Sequence, residues 1–291
     1  MNKGKAKDWK RKLVFVIGFL LCSYPLVSSL IERQYQKSAV ATYQQAVQEK
    51  DNSEIKEIFQ KANEYNSMLF QTNGAIIGNV NTEILSEESY QSLLNQGGTG
   101  IMGSIEIPKI GVDLPIYHGT ENDVLSNGIG HLEGTSLPIG GENTHCILTG
   151  HRGLPNSKLF TRLDELKEND LFYLNIFGEM LAYKVNQIEV IEPDEVEKLD
   201  IQDGKDLVSL ITCTPYGLNT HRLVVTGERV SYEKKVYNNI EKNRLSGREL
   251  IFGALPFIFI GIQLASFVYQ KQKERKRNEA QKNQSIEVLL L

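Results

Sequence analysis

Cysteine is the residue to weigh first, because a thiol can do covalent chemistry and the chain has only three: Cys22, Cys146 and Cys213. Cys213 ends the apolar run Leu207-Val208-Ser209-Leu210-Ile211-Thr212 and precedes Thr214-Pro215-Tyr216-Gly217. A strand end beside a turn suits a reactive group, since the strand fixes it and the turn exposes it. A thiol becomes a nucleophile only with a base or cation nearby. Five histidines are available: His118, His131, His145, His151 and His221. His151 lies in Thr149-Gly150-His151-Arg152-Gly153, again at the end of an apolar strand, with glycines that leave space. The other four sit at turns or within strands and read as surface or structural residues. His221 directly precedes Arg222 on a strand, so the two side chains point to opposite faces and do not serve one site together. Arg222 lies nine residues after Cys213. An antiparallel pair joined by loop 214–220 sets the two side by side, where a guanidinium can hold an acyl carbonyl and its developing negative charge. An inert buried cysteine and an ion-paired surface arginine are the competing readings at these positions.

The elements that position these residues show in the hydrophobic period. From residue 101 apolar residues alternate with polar ones: Ile105 and Ile107, then Ile110, Val112, Leu114 and Ile116. Further strand-like runs cover 145–149, 170–176, 180–191, 207–213 and 221–230, and Phe177-Gly178-Glu179 reads as a hairpin turn. Many short strands with few helices between them predict a mainly β, closed or sandwich-like fold. Residues 32–70 read instead as helix, with Ile55, Ile58, Phe59, Ala62, Tyr65 and Leu69 at helical spacing. Asp51 followed by Glu54 fits a capping box, and the apolar stripe is expected to pack on the main domain. Residues 71–100 form a connector, with turns at Gly74, Gly78, Asn79 and Asn81 and a short helix over 86–94.

Charge and hydropathy add a topology. The net charge is −4, yet residues 1–12 carry +5 and residues 271–291 carry +3, leaving −12 on the rest. An acidic body with basic ends excludes an ordinary nucleic-acid binder. Residues 13–31 and 250–270 hold no charged side chain; the runs are 19 and 21 residues long, near the ~20 that span a bilayer. A cleavable signal peptide competes for the first run, but no convincing small-x-small site follows Ser28 and Ser29. A core helix competes for the second, against the basic run Lys271, Lys273, Arg275, Lys276 and Arg277. The positive-inside tendency puts both termini in the cytoplasm and residues 32–249 outside the cell membrane. The layout expected is a basic tail (1–12), an anchor (13–31), a helical region (32–70), a connector (71–100), a β domain (101–231), a juxtamembrane linker (232–249), a second span (250–270) and a cytoplasmic tail (271–291). Three cysteines do not make a disulfide scaffold. The acidic run Glu192, Asp194, Glu195, Glu197 and Asp200 fits no defined calcium loop and reads as a solvated loop.

The runs Thr149-Gly150-His151-Arg152-Gly153 and Ile211-Thr212-Cys213-Thr214-Pro215-Tyr216-Gly217-Leu218-Asn219-Thr220-His221-Arg222-Leu223 resemble the His and Cys/Arg motifs of sortases, the surface transpeptidases of Gram-positive bacteria. Tyr117-His118-Gly119-Thr120 and Gly130-His131-Leu132-Glu133-Gly134-Thr135-Ser136-Leu137-Pro138 resemble the class C, pilus-assembling branch, as do anchors at both ends. The resemblance covers about residues 100–230. It implies an eight-stranded β-barrel preceded by helices, with Cys213, His151 and Arg222 catalytic and no metal or organic cofactor. It implies cleavage of an LPXTG-like sorting signal between Thr and Gly through a thioacyl enzyme. Cys213 attacks, His151 protonates the leaving amine, and Arg222 stabilises the oxyanion. A pilin lysine then resolves the intermediate as an isopeptide bond. Many class C enzymes also carry an Asp-Pro-aromatic lid before the barrel. Residues 71–100 contain no proline, which leaves Tyr90 and Leu94 as residues there that can cover the site. A sortase that anchors proteins to the cell wall, and a non-catalytic membrane-held scaffold for surface proteins, remain the alternatives. A papain-like hydrolase fits less well, because that family's Cys-before-His order and local signature are absent.

Overall fold

The computed structural model describes residues 3–73, 86–154, 157–195, 199–240 and 247–289. The chain divides into two compact units, one of residues 28–245 and one of residues 1–27 with 246–291.

The larger unit is built on eight strands: β1 (Ile101–Ile107), β2 (Val112–His118), β3 (Ile129–His131), β4 (Thr144–Thr149), β5 (Leu171–Ile176), β6 (Glu179–Ile191), β7 (Asp206–Thr214) and β8 (His221–Val230). They close into a barrel in the order β1-β2-β3-β4-β7-β8-β6-β5. Closure leaves no unpaired strand edge in the barrel wall. The pairs β2–β3 and β4–β7 are parallel, and the others are antiparallel. The alternation read from the sequence has its cause here. Ile105, Ile107, Ile116, Leu148, Phe172, Leu174, Leu210 and Val225 are all buried in one continuous core. The turn over 177–178 joins β5 and β6, with Phe177 at φ 46° and Gly178 at φ 86°. Positive φ at both central residues is the type I′ hairpin turn, and Gly178 takes that conformation without strain. Strand β3, only three residues long, escaped the reading because a period of two cannot be recognised over so short a run.

Helices α1 (Lys3–Gln48) and α2 (Asn52–Asn73) precede the barrel, so the helical region breaks near residue 50. Asp51 caps α2: its carboxylate accepts from the Ser53 and Glu54 N–H groups at 2.7 and 2.9 Å. The Glu54 carboxylate pairs instead with Lys50 at 3.1 Å, so the capping box is made from one side. The predicted stripe does face the barrel. Ala62, Tyr65 and Leu69 are buried, and Ile55, Ile58 and Phe59 pack against the core. Two polar side chains help to fix the docking. Asn66 both donates to the Leu137 carbonyl and accepts from its N–H, at 3.2 and 2.7 Å. The Tyr43 hydroxyl donates to the Met102 carbonyl at 3.0 Å and accepts from the Phe177 N–H at 2.9 Å.

Helix α3 (Glu87–Ser92) is the short helix expected over 86–94, with Ser86 as its cap. The turns expected at Gly74, Gly78, Asn79 and Asn81 lie outside the described residues. Tyr90 is fully buried, and its hydroxyl lies 2.9 Å from His131 Nδ1 and accepts from the Gly119 N–H at 3.0 Å. Helix α4 (Asn122–Asn127) leads into β3, and α5 (Lys234–Asn239) follows β8. Tyr237 on α5 packs edge-on against Tyr173 of β5 at 5.0 Å and donates to Glu106 of β1 at 2.5 Å.

The smaller unit holds the start of α1 and helix α6 (Gly247–Leu289). Phe15 and Phe259 stack there at 5.3 Å. Both helices are long and apolar enough to cross a membrane, with mean hydropathy 2.2 and 1.4 in their most apolar windows. Almost none of that apolar surface is covered by protein, as expected of a segment whose solvent is lipid. The boundary expected at 31/32 falls inside the unbroken α1, and Pro25 and Pro256 both lie within helices.

Candidate active site

Three strand ends meet at one rim of the barrel. Strands β7 and β8 pair so that Cys213 stands opposite Arg222 and Thr214 opposite His221. This is the neighbour relation expected from the nine-residue spacing. On the other side β7 pairs in parallel with β4, the last pair being Thr149 with Ile211. Two further contacts carry the pairing past the ladder: the Gly150 N–H donates to the Ile211 carbonyl at 3.0 Å, and Thr212 Oγ1 donates to the Gly150 carbonyl at 2.7 Å. His151 and Cys213 lie one residue further along their respective segments. Gly150 makes the approach possible, since a Cβ there would stand 2.7 Å from Ile129 Cδ1 and 2.8 Å from Phe160 Cδ2.

Cys213, His151 and Arg222 all line one cleft of about 410 Å³, and each is half-buried. Leu125, Leu132, Ile191, Leu199 and Ile211 give it apolar walls, and Thr120, Thr149 and Glu195 add polar groups. The Nη1 of Arg222 donates to the carbonyls of Asn219 and His221 at 3.3 and 3.1 Å. The rest of its guanidinium makes no protein hydrogen bond among the described residues. His221, on the opposite face, lies outside this lining; its Nε2 pairs with Glu192 at 3.1 Å and its Nδ1 lies 2.8 Å from Thr220 Oγ1.

The other histidines are spoken for. His118 lies with Nδ1 3.0 Å from the Gly100 carbonyl and Nε2 2.6 Å from that of Leu93. His131 is fully buried between Tyr90 and the Ser136 carbonyl, and burial pushes it down to about 4. His145 lies between the Asp200 carbonyl and Ser209 Oγ, and burial lowers it as well. His151 alone among the five makes no side-chain hydrogen bond to the described residues, which leaves both ring nitrogens for a thiol, a substrate or water. The cysteines separate in the same way. All three are unpaired; Cys146 is buried in β4, where burial raises its thiol well above the ordinary range, and Cys213 is accessible.

Tyr90 and Leu94 do not line the cleft. Tyr90, on α3, and Leu94, just after it, are both buried, so the described part of the connector packs on the barrel elsewhere. Of the acidic run, Glu197 lies outside the described residues, Glu192 engages His221, and Glu195 accepts from the Glu192 N–H at 2.9 Å. Sequence reasoning passed over Arg152, which is almost fully buried beside the cleft and bonded to Thr214 and Asp164. Its place next to His151 was the available signal.

The Sortase domain model matches residues 105–230. Sortase C1 of Streptococcus agalactiae is 46% identical, with a TM-score of 0.62 over 67% of this chain and 100% of that one. The chain belongs to the sortase family. Sortase C of Streptococcus pneumoniae, whose structure has been described as informing catalysis and pilin substrate specificity, is 39% identical, with a TM-score of 0.59 over 67% of this chain and 97% of that one. Among curated relatives, sortase D of Bacillus subtilis is 32% identical over 132 residues, which is 44% of this chain and 64% of the relative. A second, sortase A of Streptococcus agalactiae, is spanned over 52% of its length. The structural neighbours of this sortase are thus class C enzymes, and the barrel with N-terminal helices is the fold they share.

Proposed function

We propose that this sortase is a membrane-held cysteine transpeptidase that cleaves LPXTG-like sorting signals and joins pilin subunits through isopeptide bonds. Cys213 is the nucleophile, His151 the acid and base, and Arg222 the oxyanion donor. The observation that carries the chemistry is the meeting of these three side chains in one cleft. The pilus assignment rests on the class C neighbours, one of them described in terms of pilin substrate specificity. The apolar walls suit the Leu-Pro part of a sorting signal.

The thiolate of Cys213 attacks the Thr carbonyl carbon, and the electron pair moves onto the carbonyl oxygen beside the Arg222 guanidinium. Collapse breaks the Thr–Gly C–N bond, and His151 gives its proton to the leaving amine. A thioester remains. A lysine amine of the next pilin, deprotonated by His151, attacks that thioester. The isopeptide bond forms, the C–S bond breaks, and the Cys213 thiolate and protonated His151 are restored. One amide is exchanged for another, so the cycle balances without a cofactor. The two apolar helices hold the barrel outside the cell membrane, with residues 1–12 and 271–291 inside.

Expression of Cys213→Ala in cells that assemble pili tests this reading. High-mass pilin ladders should disappear, and Cys213→Ser should be nearly as damaging, because a hydroxyl is a far poorer nucleophile near neutrality. Normal ladders together with normal wall-anchored monomer from the alanine variant would leave the scaffold role. Loss of wall-anchored monomer, with ladders intact, would make this an anchoring sortase.

A further inference from the structure

The ladder between β4 and β7 ends at Thr149 and Ile211, two residues short of the residues that react. Beyond Gly150 and Thr212, the polar link between the His151 segment and the Cys213 segment, among the described residues, is one side chain. Arg152 Nη1 donates to Thr214 Oγ1 at 3.0 Å and stands 3.5 Å from the carbonyl oxygen of Cys213. Its Nη2 donates to Asp164 at 2.6 Å, on the loop that follows the His151 segment. The side chain is only 5% exposed. Tyr216 lies over the guanidinium at 5.9 Å, and Gly153 holds the chain beyond Arg152 through its N–H to Thr161 Oγ1 at 3.0 Å.

We propose that Arg152 is a positioning residue, a buried guanidinium clamp that sets the distance between His151 and Cys213. The proposal rests on the catalytic reading above. A surface arginine would stay hydrated and mobile. This one is desolvated, its fork is divided between two segments, and its Nε is buried with no partner among the described residues. A polar atom left unsatisfied in this way is costly, so it is retained where the other contacts fix the geometry. The planar fork gives Thr214 and Asp164 a nitrogen each, where a lysine would have a single nitrogen to share between them. The distance matters because proton transfer needs heavy atoms within about 2.6–3.2 Å, and a misplacement of ~1 Å can cost about 10²-fold in rate.

The test uses the full chain in detergent, with Arg152→Gln, Arg152→Lys, Thr214→Val and His151→Ala. Two rates are read: cleavage of a sorting-signal peptide, as kcat and KM, and alkylation of Cys213 by iodoacetamide, followed by peptide mass spectrometry. Arg152→Gln should lower kcat by about 10- to 100-fold with KM within about twofold of wild type. Its alkylation should fall most of the way to that of His151→Ala, because the thiol loses its aligned imidazole. Thr214→Val should move both rates the same way by less, and it carries the test if Arg152→Gln does not fold. Arg152→Lys should recover part of the rate. A folded Arg152→Gln with both rates within about threefold of wild type would overturn the clamp, as would a loss confined to KM. A wild-type chain that cleaves no peptide would sink the transpeptidase reading, while the alkylation comparison would still decide the clamp.

Discussion

Changing Arg222 separates a catalytic guanidinium from a surface one. Arg222 stands opposite Cys213 in the β7–β8 ladder, a relation that keeps Cβ atoms about 4.5–5.5 Å apart. Its Nη1 is tied to the Asn219 and His221 carbonyls, so the group is oriented before substrate arrives. Removing one oxyanion donor costs about 10²–10³ in kcat, or roughly 2.7–4 kcal/mol. The cleft is open and Arg222 is half-buried, so solvent can replace part of what is lost. Arg222→Ala should therefore fall at the lower end, about 10²-fold in kcat with KM little changed. Arg222→Lys keeps the charge but loses the fork, and should recover about tenfold of that. The assay is cleavage of a fluorogenic LPXTG peptide by the full chain in detergent at several pH values, with circular dichroism as the check on folding. The rate should follow a bell-shaped curve in pH. An arginine stays charged throughout that range, so its loss lowers the bell without moving its limbs. Near-normal cleavage by Arg222→Ala, together with a hundredfold loss in His221→Ala, would refute both the strand-face argument and the assignment of the oxyanion donor.

Three further predictions concern the scaffold. Protease added to wall-stripped protoplasts should digest residues 32–249 and spare both tails; loss of a C-terminal tag would show that the second helix does not span as argued. Replacing the hydroxyl of Tyr90 in Tyr90→Phe removes its contacts with His131 and Gly119 and should cost about 1–3 kcal/mol in urea unfolding. The same variant should leave Cys213 alkylation within about threefold, because Tyr90 does not line the cleft. His131 is held neutral down to about 4 when folded, against about 6.5 for an unfolded histidine. Between those values the unfolded chain binds the extra proton, so stability should fall as pH drops from 7 toward 4, by on the order of 3 kcal/mol. His131→Gln should flatten that dependence even though it lowers stability overall, and an unchanged slope would count against the burial argument.

The parts of the fold that were legible in the sequence are those with a long enough pattern. Residues 180–191 and 221–230 are long runs rich in β-branched residues, and they became β6 and β8 nearly to the residue. The stripe on α2 was legible by its helical spacing. Strand β3 was not, because three residues carry no period, and its place between β2 and β4 is set by tertiary pairing at Ile129, Gly130 and His131. The closed order of the barrel was likewise not legible from alternation alone. Alternation says which face a residue takes and is silent about which strand lies beside it.

The site shows the same division between local and tertiary information. The Cys213–Arg222 relation was legible because one short loop joins their strands, so sequence distance and space agree. His151 was harder, because its partner is reached through the parallel pairing of β4 with β7, which crosses 62 residues between Gly150 and Thr212. Glycines beside it were the available sign. The fold adds an independent ground for choosing it among five histidines, in what it does to the others. His118, His131 and His145 are sealed by carbonyl, hydroxyl or phenol partners, and His221 is turned to Glu192 and Thr220. A histidine whose nitrogens are both engaged cannot also move a proton to a substrate without first breaking a bond. Selection by elimination therefore needs every histidine's surroundings at once, and only the folded chain supplies them. Arg152 escaped for the complementary reason. Its importance lies in Thr214 and Asp164, 62 and 12 residues away in the chain, and neither is marked by type or spacing as a partner.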